Sequence, residues 1–399
     1  MATRFSQLTP EMIAGVQAEL ERGRVRDFAD LGDRMIQRDT DVLAAMESRM
    51  SVISGSVHVI EPAEPTGDAL LDSLAVAGAD FARQRIARVS TFSRFVHEQL
   101  MGIFFGFAAH EKEWTEDEDG SLWIKAFHWV HQRRFIYSDD WFLRIMDTGR
   151  EYHSQGLPLD PDKWVVHEPK VIPGYPTGGA LRVCMWPFLF KSLALQFWNA
   201  GGEQFAWPTP VGTLAPAAST DVEAQLLLAM ENFTNGKAAL LREGSTLELL
   251  ESAVKDAGVN AALVAECNRG IASALLGMTD LANPGRVGSY AAVKTRKGAT
   301  VDARILKDER ALAATFESQI FEPMMRLNAD YFGGIQPPTP RISWAIPQAL
   351  APIPTELLGV VTVDEARASI GLAPIGGTAG AALAMPRPVA NAAPAQVPA

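Results

Sequence analysis

Four basic side chains and no acidic one occupy residues 286–297: Arg286, Lys294, Arg296 and Lys297. Ammonium and guanidinium groups on a glycine-bearing segment can make weak contacts with phosphate, screened by salt beyond about 8 Å. A cluster of opposite sign lies at Glu113, Glu116, Asp117, Glu118 and Asp119, just after Glu111. It lacks the alternating oxygen ligands and the glycine placement of a calcium loop, so it reads as a solvated or partner-facing acidic turn. His128 and His131 stand three apart in a strand-like run. In a strand those positions face opposite sides, and no cysteine or carboxylate cluster completes a metal site. No metal and no cofactor is expected. "PGYPTGG" matches neither the phosphate-binding loop nor the dinucleotide fingerprint, and there is no GxSxG elbow. No catalytic residue is expected, and the chain reads as a non-enzyme.

The background charge limits what the basic cluster can do. Formal net charge is -11 across 399 residues. Tight nucleic-acid binders neutralise phosphates and are usually basic overall, so transient contact with a polyanion fits better than firm binding. Cys184 and Cys267 each sit in an apolar run, which argues against a disulfide framework. The first residues lack the apolar core of a signal peptide. The longest uncharged apolar run, "LMGIFFGFAA" at 100–109, is about half the ~20 residues a bilayer span needs.

These residues need elements to hold them. Helical spacing predicts helices over 10–22, 25–52, 68–89 and 90–114, with Ser90 capping the last. Val57 and Val59 alternate as a short strand that stops at Pro62. Tryptophan, β-branched residues and turn residues make 112–179 a β-rich module. Helix resumes over 180–208 with Pro187 near a turn or kink, and returns at 259–278. Two short strands flank Glu243-Gly244. Asp302 is the expected N-cap of a long apolar-faced helix that Pro323 bends or ends. Residues 335–354 are proline-rich and extended, a short helix is expected over 361–377, and the Ala/Pro/Gly tail after 378 reads as disordered. The β-rich module thus lies between two helices, a plan of stalk and head.

Four segments in this order resemble the portal proteins of tailed bacteriophages, specifically the Mu-like branch. They are "DRMIQRDTDVLAAMESRMSVISGSVHVIEP", "LPLDPDKWVVHEPKVIPGYPTGGALRVCMWPFLFKSLALQFWNAGGEQFAWPTPVGTL", "GSYAAVKTRKGATVDARILKDERALAATFESQIFEPMMRLN" and "VTVDEARASIGLAPIGG". Together the resemblance covers residues 25–375.

The resemblance implies an α+β fold: an elongated portal-type subunit with long stem helices, a β-rich clip insertion, an α/β wing and a small helical crown. Residues 1–89 and 206–327 would form the wing, 90–112 and 180–205 the stem helices, and 113–179 the clip. A tunnel loop would span 279–300 with the helix 302–327 behind it, then a crown at 328–375 and a tail at 376–399. Portals form rings, usually of twelve subunits, at one capsid vertex of the virion, assembled in the host cytoplasm. The implied function is a head–tail connector and DNA conduit. Its implied partners are copies of itself, double-stranded DNA, the large terminase subunit, a head–tail adaptor and the major capsid protein. Arg286, Lys294, Arg296 and Lys297 would touch DNA, and Glu113, Glu116, Asp117, Glu118 and Asp119 would face the motor or adaptor. Two other readings stay open on the residues alone: a ring-forming scaffold without a conduit, and a hydrolase with an inserted β-domain.

Overall fold

The computed structural model describes residues 8–146, 156–170, 179–205, 209–213, 219–234, 246–250, 257–277 and 290–346, with Thr362 and Asp364. The chain divides into two units, Met1–Ala345 and Ile346–Ala399. All elements below belong to the first. The expected helix at 361–377, the tail and most of the expected crown lie outside the described residues.

The chain opens with α1 (Pro10–Glu21), α2 (Arg26–Arg38) and α3 (Thr40–Ser54). Thr9 caps α1, with proline at its first position. The helix expected over 25–52 is broken at Asp39, whose carboxylate caps α3 by accepting from the amides of Asp41 and Val42. β1 (His58–Glu61) follows, then α4 (Ala69–Ala87), capped by Asp68.

The largest departure from the sequence reading begins next. The expected stem helix 90–112 is α5 (Phe92–Leu100), a single turn α6 (Gly102–Phe105) and then strand β2 (Ala108–Glu116). Gly106 takes a left-handed φ of 97° and ends α6. Residues Phe104–His110 are buried. β2 is the centre of a sheet ordered β3-β2-β7, flanked by β3 (Leu122–Val130) and β7 (Trp164–His167), both antiparallel. A central strand covered on both faces loses its alternation, which is why its pattern imitates a buried helix. A second small sheet joins β4 (Phe135–Tyr137), β5 (Leu143–Ile145) and β6 (Leu157–Pro158).

Helix α7 (Leu181–Phe205) runs through Pro187. It enters against the α6 turn: the Ala180 amide donates to the Ile103 carbonyl, and a Cβ on Gly179 would lie 2.2 Å from the Phe104 carbonyl oxygen. β8 (Thr209–Thr213), α8 (Thr220–Thr234), β9 (Thr246–Leu250) and α9 (Ala257–Leu276) follow. β9 pairs with β8, where the sequence reading had set it beside a strand across Glu243-Gly244.

Helix α10 (Tyr290–Phe316) continues through one π-helical turn, Glu317–Phe321, into α11 (Glu322–Leu327). β10 (Arg341–Trp344) pairs with β1, so this part of the expected crown belongs to the same body as the N-terminal helices. The core gathers around α5, β3 and α10: the Phe95 ring stacks on Phe127 at 3.8 Å and on Phe316 at 5.1 Å. Every one of those rings is buried.

Candidate functional site

α7 packs along α9. β8 begins four residues after α7, and its Thr209 pairs with Leu250, seven residues before α9. The end of α7 and the start of α9 are thereby brought together, which makes the two helices an antiparallel pair. On α7, Cys184, Met185, Phe188 and Leu189 face inward. Val183, Phe190 and Phe197, seven apart, form an outward line, 52%, 44% and 67% exposed. A seven-residue repeat returns to nearly the same face of a helix. Trp198 and, on α9, Val259 and Leu263 are also exposed.

The far end of α9 is fixed by two arginines. A helix leaves its last carbonyls without amide partners. Here Arg49 Nη1 donates to the Leu275 carbonyl at 2.7 Å and Arg304 Nη1 to the Ala274 carbonyl at 3.1 Å. Arg49 also grips Asp308 through Nε at 2.6 Å and Nη2 at 2.9 Å. Both side chains of that pair are about 95% buried. Gly277, at φ 80°, turns the chain away beneath Arg304, where a Cβ would sit 2.6 Å from Nε.

Beyond it, Arg286 falls outside the described residues. Lys294, Arg296 and Lys297 lie within α10, not on a loop that runs to 300. The helix begins twelve residues before the expected Asp302 cap. Small residues such as Ala291, Ala292 and Ala299 suit a helix as well as a loop, and Gly298 costs only about 1 kcal/mol inside one.

The acidic cluster is largely spoken for by this chain. Glu113 pairs with Lys125 at 2.9 Å and His128 at 2.8 Å across the β2–β3 hairpin. Asp117 meets Arg85 and, at 2.6 Å, Arg88, which holds its carboxyl below the usual range, the Arg88 hydrogen bond contributing most. Asp119 accepts from Ser121 Oγ at 2.6 Å and lies 3.1 Å from Arg85. Arg88 stacks over Trp123 at 4.0 Å. Glu116 and Glu118 remain exposed. Asn328, at the end of α11, bonds the amide and the carbonyl of Leu122. The hairpin is therefore bolted to α4 and α11, and cutting out 116–155 would strip partners from Arg85 and Asn328. His128 and His131 do not meet over a metal: His131 pairs with Asp33 at 2.7 Å. Among the described residues no group of side chains could hold a metal ion.

Three strands hold the C-terminal end of α10. Pro323 has no amide to offer the Gln319 carbonyl one turn back. Lys112 of β2 fills the gap, its Nζ donating to the Gln319 and Pro161 carbonyls at 2.8 Å each. The Gln319 side chain bonds both the amide and the carbonyl of Val166 on β7, and Glu317 accepts from the Ile342 amide on β10. Burial pushes the Lys112 ammonium down to about 8. Between about 8 and 10.5 the unfolded chain keeps a proton that the folded one has lost, so stability should rise with pH across that window. Urea midpoints measured below and above the window should show the rise in this chain and its loss in Lys112→Met.

A second buried cation repeats the pattern. Lys191 on α7 reaches Asp39 at 2.8 Å and Asp41 at 2.7 Å, tying α7 to the break between α2 and α3. Sequence reasoning singled out none of these ion pairs as partners. Yet their ends lie in different segments of the resemblance: Asp39 and Arg49 in the first, Lys191 in the second, Asp308 in the third. The buried charges are among the contacts that join these segments.

Comparison with known proteins gives the same frame. The portal protein of Escherichia phage Mu is 24% identical over 327 residues, 82% of this chain and 62% of that protein. The Mu-like prophage FluMu protein gp29 of Haemophilus influenzae is 25% identical over 336 residues, with 82% and 62% covered. The chain thus spans less than two thirds of the length of these curated relatives. A chain from the neck of a native GTA particle, computed with C12 symmetry, shares the fold at TM-score 0.51 and 14% identity, over 94% of this chain and 98% of that one. The mixed α+β class agrees with that likeness, and the sequence reading of a phage portal component agrees with the relatives. Of the expected localisation, the place in the virion at the portal agrees with the family. A profile described as the portal protein of Mu bacteriophage matches residues 29–372, and the chain belongs to that family.

Proposed function

We propose that this chain forms a closed ring at the portal vertex and conducts double-stranded DNA into and out of the capsid. The observation that carries it is the exposed line Val183, Phe190 and Phe197 on α7, beside Val259 and Leu263 on α9. Scattered apolar residues on a surface need no explanation, but a continuous helical line invites a partner. In a ring, the partner is the next copy, through a head-to-tail contact that must close. End-on electron microscopy of the purified chain tests this directly: a ring with a central channel is expected, and a field of monomers or poreless particles would defeat it.

The α7–α9 pair then takes the role of the stem, and the segment between them, 206–256, that of the clip, in place of 90–112 and 113–179. Support comes from the antiparallel packing of the pair and from the β8–β9 ladder at its joined end. The large terminase subunit and the head–tail adaptor would dock there, and the major capsid protein would meet the body. Replacing 214–245 with a short Gly/Ser linker should leave the ring intact and abolish capture of the terminase subunit. Retained capture would return the docking site to another surface.

The turn from α9 to α10 would face the channel, with Arg286 and the first turns of α10 offering the basic groups. Each exposed contact is worth well under about 1 kcal/mol. A ring presents the same charges repeatedly to one duplex, so weak contacts multiply without a tight one. Replacing Lys294, Arg296 and Lys297 with serine should leave ring formation and thermal stability nearly unchanged. The yield of DNA-filled heads, or DNA retention in them, should fall. Wild-type yield, or loss of the ring, would remove these residues from the DNA path.

A further inference from the structure

We propose that Arg49 is a positioning residue for the DNA path. By clamping Asp308 of α10 to the Leu275 carbonyl of α9, it sets the direction in which the first turns of α10 leave the body. The proposal rests on the portal reading above and adds to it a residue far in sequence from the channel segment.

The geometry is that of a bracket. Arg49 comes from α3 and uses all three of its nitrogens, two on Asp308 and one on Leu275. The two parallel bonds to one carboxylate fix orientation as well as distance, which a lysine cannot do. Arg304 adds the second tie, from α10 to the Ala274 carbonyl. Thus α10 is held against the end of α9 at Arg304 and Asp308. From Tyr290 to Arg304 the helix runs ~21 Å ahead of this bracket at 1.5 Å per residue. Lys294, Arg296 and Lys297 lie on that forward part. Downstream, the π-helical turn is bonded to β2, β7 and β10, so the rear of the helix cannot move to compensate. A small rotation at the bracket is therefore magnified along the forward part.

The test compares two conservative variants with a core control away from the bracket. Arg49→Lys keeps the charge and loses the fork; Asp308→Asn keeps the shape and loses the charge. Phe135→Leu weakens a core site on β4 away from the bracket. The readouts are thermal stability, ring formation by native mass spectrometry and DNA-filled heads in a complementation assay. The expected result is rings from all three, with filled heads falling several-fold for Arg49→Lys and Asp308→Asn but not for Phe135→Leu. Equal loss in the control, or filled heads at wild-type yield in both bracket variants, would overturn the proposal. Absence of rings from both bracket variants would overturn it too, by placing the pair in subunit folding. Wild-type chain that forms no ring would instead defeat the portal reading beneath it.

Discussion

Substituting aspartate for Phe190 and Phe197 together is expected to give a folded monomer and no ring. Both rings point outward in the isolated subunit, at 44% and 67% exposure. Surface changes of this kind usually move subunit stability by no more than about 0.5 kcal/mol. At an interface the same carboxylates would lose water without gaining a partner. Truncating one side of a buried charge pair costs about 2–5 kcal/mol per contact, and an introduced lone carboxylate suffers comparably. A closed ring repeats that cost at every junction, so the assembled state should vanish from native mass spectra. Circular dichroism and the thermal midpoint should stay close to those of the parent chain. Rings that persist would show that this line of α7 faces something other than the neighbouring copy.

Removal of the Arg49 side chain altogether should damage the subunit itself. Arg49→Met leaves Asp308, about 95% buried, without its two charge-assisted bonds and frees the Leu275 carbonyl as well. Breaking a buried pair from one side costs about 3–5 kcal/mol. The companion change should relieve most of that, because Arg49→Met with Asp308→Leu leaves no orphaned charge. Denaturant unfolding of the parent, the single and the double variant forms the measurement. A single variant within 1 kcal/mol of the parent, a bound set by the scale of ordinary surface changes, would mean that water reaches Asp308.

How much of this was legible beforehand depends on the element. α1 announces itself through Thr9 and Pro10, and α4 through Asp68, because capping chemistry is local. β3 could be read from its aromatic and β-branched run, and the family from the order of its segments. The stretch 90–112 was legible only in part: α5 is helical as expected, but the passage from α6 into β2 could not be read. Its apolar residues are buried on all sides, and once both faces are covered neither period 3.6 nor period 2 survives in the pattern. The misplaced start of α10 has a different cause. Asp302 is a good capping residue, but nothing in a single sequence says that a good cap will be used.

The candidate site divides in the same way. The basic residues Arg286, Lys294, Arg296 and Lys297 stand out because charge can be counted. Arg49 and Lys191 look like any surface cation on an amphipathic helix. Their partners lie 259 and 152 residues away, and no local signature marks such a pair. The acidic cluster differs again, because charge can be counted but its partners cannot. It looked available, and much of it is neutralised by Arg85, Arg88 and Lys125.

The sequence by itself determined composition, the helix starts that carry their own caps, the absence of a recognisable catalytic motif, and an ordered set of segments sufficient to name a family. The tertiary structure alone decided that the apolar run at 100–109 ends as a central strand, that α7 pairs with α9, and that Arg49 of α3 and Asp308 of α10 form a buried ion pair. The reason is physical. Caps, turns and periodicity arise between residues a few positions apart, and a sequence records them directly. Strand pairing, helix pairing and buried charges join residues that only folding makes neighbours, and their energies depend on a solvent exclusion that no single segment possesses.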